Sequence, residues 1–224
     1  MIRIENLQKS FGAHWVTHGV NLEIPAGQMT VIIGPSGEGK SVLLKQIIGL
    51  IKPDSGHIYI NDVDITTLKK RDLETHISHI GYVFQFAALL DSLTIFENIA
   101  ITLLENGVSA ERALPIVKEK LRLVNLDEKI LTSYPSDLSG GMRKRVGLAR
   151  TLITNPQVIL YDEPTTGLDP ITSRIIHELM HDMQMRLGLT SVVVSHDLNI
   201  FEFADNVALL IGGNIRYVGP AKTI

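Results

Sequence analysis

The 224-residue chain is 45% hydrophobic and 20% charged, which excludes disorder and leaves length enough to bury a full core. A net charge of -3 gives no basic footprint for nucleic acid, and the absence of cysteine removes disulfides and thiolate-held metals. Met1–Glu5 lacks the apolar core of a signal peptide, and the longest apolar candidate, Ile80 to Leu90, is broken by Gly81 and Gln85. A role at a membrane would therefore need another chain as the span.

In chain order, residues 1–65 read as strand-rich. Ile2/Ile4 and Val20/Leu22/Ile24 alternate, and Ile58/Ile60 lead into an Asn61-Asp62 turn. The interruption is Gly34-Pro35-Ser36-Gly37-Glu38-Gly39-Lys40-Ser41, which fits G-x-x-x-x-G-K-[ST]. It follows the apolar stretch Gln28–Ile33 and precedes the helical pattern Val42–Ile48. Strand, Gly-rich turn and helix start aim backbone N–H groups and the positive end of a helix dipole at one point. Lys40 is placed to reach terminal phosphates and the Ser41 hydroxyl to ligate Mg²⁺, so a nucleoside triphosphate is the expected ligand.

Lys69-Lys70-Arg71 reads as a solvated turn, and Ile80–Phe84 as a short strand ending at Gln85. Thr94 can cap a helix through Leu104, and Ser109–Leu126 reads as another despite Pro115. No strand pattern occurs there, so roughly 90–155 is expected to be a helical lobe inserted in the P-loop core of one domain, 1–224. Leu138-Ser139-Gly140-Gly141 opens the stretch Met142–Ile153. With Ser139 as N-cap and two glycines leaving N–H groups uncovered, it is a second anion-binding helix start.

Strand signal returns at Val158–Tyr161, Ser191–Ser195 and Val207–Ile211, with a helix over 171–187, and Gly212-Gly213-Asn214 turns into a last strand. That alternation predicts an α/β fold with a mostly parallel sheet, beside the antiparallel β lobe of the N-terminal third. Asp162, ending the first of these strands, is placed to hold Mg²⁺. Glu163 leaves the sheet one residue on and suits a general base or water-positioner for attack on the γ-phosphate.

Together these motifs resemble the nucleotide-binding subunit of ATP-binding-cassette (ABC) transporters over essentially the whole chain. Phe11 matches the aromatic that stacks on adenine, with Val16 beside it. Gly34–Ser41 matches Walker A, followed by Val42 where Thr is common; Gln85 matches the Q-loop glutamine and Leu138–Met142 the signature. Tyr161-Asp162-Glu163 matches Walker B, Gly167-Leu168-Asp169 the D-loop, and His196 the switch histidine. The resemblance implies ATP and Mg²⁺ as cofactors, and a head-to-tail pair of subunits around a transmembrane permease. In it Ser139, Gly140 and Gly141 meet the nucleotide bound by the partner copy's P-loop, and Asp169 belongs to the shared site. Gln85 completes the Mg²⁺ shell, and His196 bonds the γ-phosphate and Glu163.

Segments such as Lys-Ser-Val-Leu-Leu-Lys and Ser-Gly-Gly-Met-x-Lys-Arg look most like the Mla group, phospholipid-transport ATPases of diderm bacteria. That implies a place on the cytoplasmic side of the inner membrane and an MCE-domain lipid-binding protein as partner. The alternatives are the ATPase of another importer or exporter, and a non-transport cassette of the cell-division type.

Two departures stand out. Met142 replaces the usual signature Gln, and Glu38 stands where a small residue is usual; the carboxylate is expected to point outward and find Arg143 or Lys144 of the opposite subunit, or solvent. Finally, His177-Glu178-Leu179-Met180-His181 matches the zinc-protease H-E-x-x-H. A helical wheel with Ile175, Leu179, Met183 and Leu187 as the apolar face places both histidines toward solvent, without the enclosed cleft of catalytic zinc.

Overall fold

The computed structural model describes residues 1–223. Strands β1 (Ile2–Phe11) and β2 (His14–Ile24) are followed by β3 (Met29–Ile33), helix α1 (Lys40–Ile47), β4 (Ser55–Ile60) and β5 (Val63–Asp64). The alternating apolar residues put β1, β2, β4 and β5 in one antiparallel sheet, order β2-β1-β4-β5, with Ile2 opposite both Ile24 and Ile60. Asn61 and Asp62 both take positive φ, 47° and 66°, in the tight β4–β5 turn.

Helix α2 (Lys70–Ile77) corrects the expectation of a solvated turn at Lys69-Lys70-Arg71. Lys70 and Arg71 are exposed as anticipated, but they lie in the first turn of a helix that fully buries none of its residues. With so little apolar periodicity there was no pattern to read.

After β6 (Ile80–Val83) come α3 (Ile95–Glu105), α4 (Ala110–Leu123) and α5 (Gly140–Leu152) without an intervening strand. Thr94 opens α3 with a complete capping box: the Glu97 N–H donates to its hydroxyl at 3.2 Å, and its own N–H donates to the Glu97 carboxylate at 2.7 Å. Then β7 (Val158–Asp162), α6 (Pro170–Leu187), β8 (Thr190–Val194), β9 (Asn206–Ile211) and β10 (Asn214–Pro220) complete the chain.

The second sheet has order β10-β9-β3-β8-β7-β6, parallel except for the β9–β10 hairpin. Its side chains alternate between two cores. Val31, Tyr161, Val193 and Val207 face α3–α6, whereas Ile32, Leu160, Val192 and Ala208 face α1 and the antiparallel sheet. Strands β7 and β8 are buried along their whole length, as a sheet covered on both faces requires. Central β3 delivers the chain to α1 at the carboxyl ends of the parallel strands, where open α/β sheets bind ligands.

Helix α6 corrects the wheel drawn for it. Leu179 and Met183 are buried, but Ile175 and Leu187 are exposed, and His177 is fully buried rather than solvent-facing; His181 is half-buried. The inward face is rotated because α6 packs against Phe203, whose ring centroid lies 6.2 Å from His177 and 5.8 Å from His181.

Candidate functional site

At the end of β3 the chain turns through Gly34 to Gly39 before α1 begins. A Cβ on Gly34 would stand 2.1 Å from the Leu210 carbonyl oxygen, so no larger residue fits. Gly39 is the N-cap of α1 at φ 90°, and a Cβ there would meet Val16 Cγ1 at 2.5 Å. No side chain caps this helix, so its first N–H groups stay available to an anion. Lys40 is buried, and its ammonium donates to the Gly34 and Pro35 carbonyls at 2.7 and 2.9 Å, bridging the two ends of the loop.

Across the turn, the Ser41 hydroxyl donates to Asp162 Oδ1 at 2.6 Å, and the Tyr82 hydroxyl donates to Oδ2 at 2.8 Å. Burial pushes the Tyr82 phenol pKa up, and the Asp162 carboxylate adds to the shift, so Tyr82 remains a donor. Tyr82 escaped the sequence reading because a tyrosine inside a short apolar strand looks like core. Hydroxyl and carboxylate together are hard oxygen donors, the set that Mg²⁺ takes.

Glu163 leaves β7 at φ 52°, a conformation uncommon outside glycine, and its N–H donates to the Val194 carbonyl at 2.9 Å. That turn brings its carboxylate Oε2 within 2.7 Å of His196 Nδ1, from the loop after β8. Phe11, Val16, Ser36, Gly37, Gly39, Lys40, Ser41, Val42, Gln85, Glu163 and His196 line one cleft of about 480 Å³, with Asp162 behind Ser41. Phe11 is half exposed at its mouth.

The other expected residues lie elsewhere. Ser139 caps α5, accepting from the Met142 N–H at 3.3 Å. Gly140 lines a separate hollow with Phe86, Arg143, Lys144 and Leu168, and Gly141 is buried against Thr172. Asp169 caps α6, accepting from the Ile171 and Thr172 N–H groups and the Thr172 hydroxyl. Neither Ser139, Gly140, Gly141 nor Asp169 borders the P-loop cleft of the same chain.

Glu38 departs from expectation. Its Oε2 accepts from the Gly212 and Gly213 N–H groups at 2.5 and 3.3 Å, so the β9–β10 turn supplies its partners. The cations proposed for it are engaged within the chain: Arg143 donates to the Leu138 carbonyl at 2.6 Å, and Lys144 to the Gln85 carbonyl. Lys144 is buried, and desolvation lowers its pKa against the opposing pull of Glu163. The Met142 side chain packs on the helical core, which accounts for an apolar residue at that position.

The ABC transporter family profile matches residues 17–166, two thirds of the chain and the whole run from β2 past Glu163. The chain belongs to the ABC transporter family. It is 40% identical, over its full length, to the probable ribonucleotide transport ATP-binding protein mkl of Mycobacterium leprae, of which it covers 65%. It is 41% identical to the methionine import ATP-binding protein MetN of Carboxydothermus hydrogenoformans, again over its full length, covering 67%. The chain thus spans slightly under two thirds of the mkl relatives. Among solved structures it is similar to the dimeric ATP-binding cassette MJ0796 in a post-hydrolysis state bound to ADP and Pi, with a TM-score of 0.88 and 34% identity over 99% of both chains. An ABC cassette binds ATP with Mg²⁺, and the P-loop cleft has the donors for both. No helix among the described residues is long and apolar enough to cross a membrane.

Proposed function

We propose that this chain is the ATP-hydrolysing subunit of an ABC transporter, acting as a head-to-tail pair on the cytoplasmic side of the inner membrane with phospholipid as cargo. The observation that carries the ATPase reading is the convergence of Ser41–Asp162 and Glu163–His196 on the cleft beneath the P-loop. In this reading 1–224 is one cassette with a helical lobe over roughly 90–155. Phe11 and Val16 take the adenine. The backbone from Gly34 to Val42, with Lys40, takes the phosphates; Ser41, Asp162 and Gln85 hold Mg²⁺, which neutralises charge on the phosphates. Glu163 accepts a proton from the attacking water, and His196 fixes the orientation of that carboxylate while reaching the γ-phosphate.

Ser139, Gly140, Gly141 and Asp169 serve the partner copy's nucleotide. Their separation from the P-loop cleft of their own chain supports this, as does the dimeric state of the similar cassette. Permease and cargo are not written in the catalytic residues: relatives at 40% and 41% identity carry names for ribonucleotide and methionine transport. The phospholipid reading rests on the Walker A and signature segments that resemble the Mla group. Affinity capture of the chain from detergent-solubilised membranes tests it: a multi-span permease with an MCE-domain protein is expected. Capture with a periplasmic amino-acid-binding protein would reassign the cargo and leave the ATPase reading standing.

A further inference from the structure

Away from the nucleotide cleft, near the other end of α1, lies a cavity of about 230 Å³. The chain forms it where the loop after α1 meets the segment leading into α2. Ile51, Ile65, Leu68 and Leu73 give it apolar walls. Gln46 lines it too, only 1% exposed, and neither its amide nitrogen nor its amide oxygen has a hydrogen-bond partner. A buried amide with both ends unsatisfied is costly in an apolar setting, so a group that answers both is expected. Lys52 and Lys70 also line the cavity, and because both are solvent-exposed they stand at its mouth. Lys52 has no ion pair among the described residues; that of Lys70, to Glu74 at 3.9 Å, is loose and exposed.

The dimensions and the polarity gradient define the ligand. A cavity of about 150 Å³ accepts benzene, so one of 230 Å³ accepts a ring with two small substituents, about ten heavy atoms. The inner substituent must both donate and accept, as a hydroxyl does toward an amide. The outer one must be anionic to use two lysines. Water alone can satisfy Gln46 but leaves the four apolar walls wet. We infer that this cavity is a binding site for small aromatic carboxylates bearing a hydroxyl opposite the carboxylate, the 4-hydroxybenzoate class. The hydroxyl meets Gln46, the ring lies between Ile65 and Leu73, and the carboxylate faces Lys52 and Lys70. The site does not depend on the proposed transport function.

Calorimetric titration of the full chain with 4-hydroxybenzoate, benzoate and 4-hydroxybenzyl alcohol tests the inference. Saturable binding of 4-hydroxybenzoate is expected with a Kd of about 0.1–1 mM, and about fivefold weaker binding of benzoate. Gln46→Met keeps the volume and should erase that preference. Lys52→Ala with Lys70→Ala should weaken both acids without affecting the alcohol. ATP should leave 4-hydroxybenzoate bound, and unchanged melting temperatures would show that the variants fold. Three results would overturn the site: no saturation by 4-hydroxybenzoate at 10-fold the expected Kd, a hydroxyl preference surviving in Gln46→Met, or displacement by ATP.

Discussion

The chain contains two glycine-flanked helix starts, at α1 and at α5, and they are built to opposite plans. The α1 start has no side-chain cap; its N–H groups are open, and its own Lys40 and Ser41 are joined there by Asp162 and Glu163 from the end of β7 and by His196 from the loop after β8. The α5 start is capped by its own Ser139, and its basic neighbours Arg143 and Lys144 are tied to backbone carbonyls. Isolated helix starts bind anions weakly. On the proposed reading the first is a nearly complete phosphate site within one chain, and the second is half of one, to be completed by a ligand presented by another copy.

The largest expected effect tests the α1 side. Glu163→Gln should reduce ATP turnover about 10³-fold while leaving ATP binding intact, because the amide preserves the bond to His196 but cannot take a proton. Lys40→Ala should instead weaken ATP binding itself about tenfold to a hundredfold, the scale of a lost charge-assisted hydrogen bond. Steady-state turnover beside equilibrium nucleotide binding separates the two. Near-normal turnover in Glu163→Gln would remove the base assignment.

At the α5 side, Ser139→Ala should leave ATP affinity of the single chain unchanged and weaken ATP-driven pairing about tenfold, read by light scattering in the Glu163→Gln background. It should also cost about 1 kcal/mol of stability through the lost cap. Mixing the Lys40→Ala and Ser139→Ala chains should restore one intact site per mixed dimer, and turnover should rise above that of either variant alone. If Ser139→Ala weakened ATP binding by the isolated chain, the two starts would not differ as described.

Acidification acts on the α1 side through an element neither start contains. His177 of α6 is fully buried with both ring nitrogens unpartnered, 3.9 Å from Asp197, the residue after His196. Burial pulls its pKa below the ordinary 6.5, with Arg174 adding to the effect and Asp197 opposing it. The unfolded chain therefore binds a proton that the folded one refuses. Stability from this group is fully present above pH 6.5 and is lost as pH falls toward the depressed folded value, by at most about 1.4 kcal/mol per pH unit. Chemical denaturation between pH 7.5 and 5 should show the decline, and His177→Phe should flatten it. Identical slopes in both proteins would refute the assignment.

The elements most legible in the sequence were those set by strong local chemistry. Gly34–Ser41, the Thr94 cap and the strand ending in Asp162-Glu163 announce themselves through residue types with few other uses, and the structure places them as expected. Features decided by packing were not legible. Helix α2 has no buried stripe to reveal it, and the inward face of α6 depends on where Phe203 sits. The role of Tyr82 depends on β6 lying beside β7, a pairing across 80 residues that no local pattern encodes.

Glu38 carries the smallest and most specific prediction, because it places a carboxylate inside the α1 phosphate loop. Were it free, a charge about 10 Å from a phosphate would oppose ATP by about 1.7 kcal/mol at an effective dielectric of 20. The Gly212 and Gly213 N–H groups hold it in place and offset part of that repulsion. Glu38→Gln keeps an acceptor for the turn and removes the charge. ATP binding should therefore tighten about threefold at low ionic strength, and the gain should vanish near 1 M salt, where the screening length falls to about 3 Å. The same geometry predicts that Glu38 and the α5 start are energetically separate. In a double-mutant cycle on ATP-driven dimerisation, Glu38→Ala and Arg143→Ala should couple by less than about 0.3 kcal/mol, since Arg143 is already committed to the Leu138 carbonyl. A coupling of 1 kcal/mol or more would mean that the two starts face each other through this pair, and that pairing rearranges the β9–β10 turn.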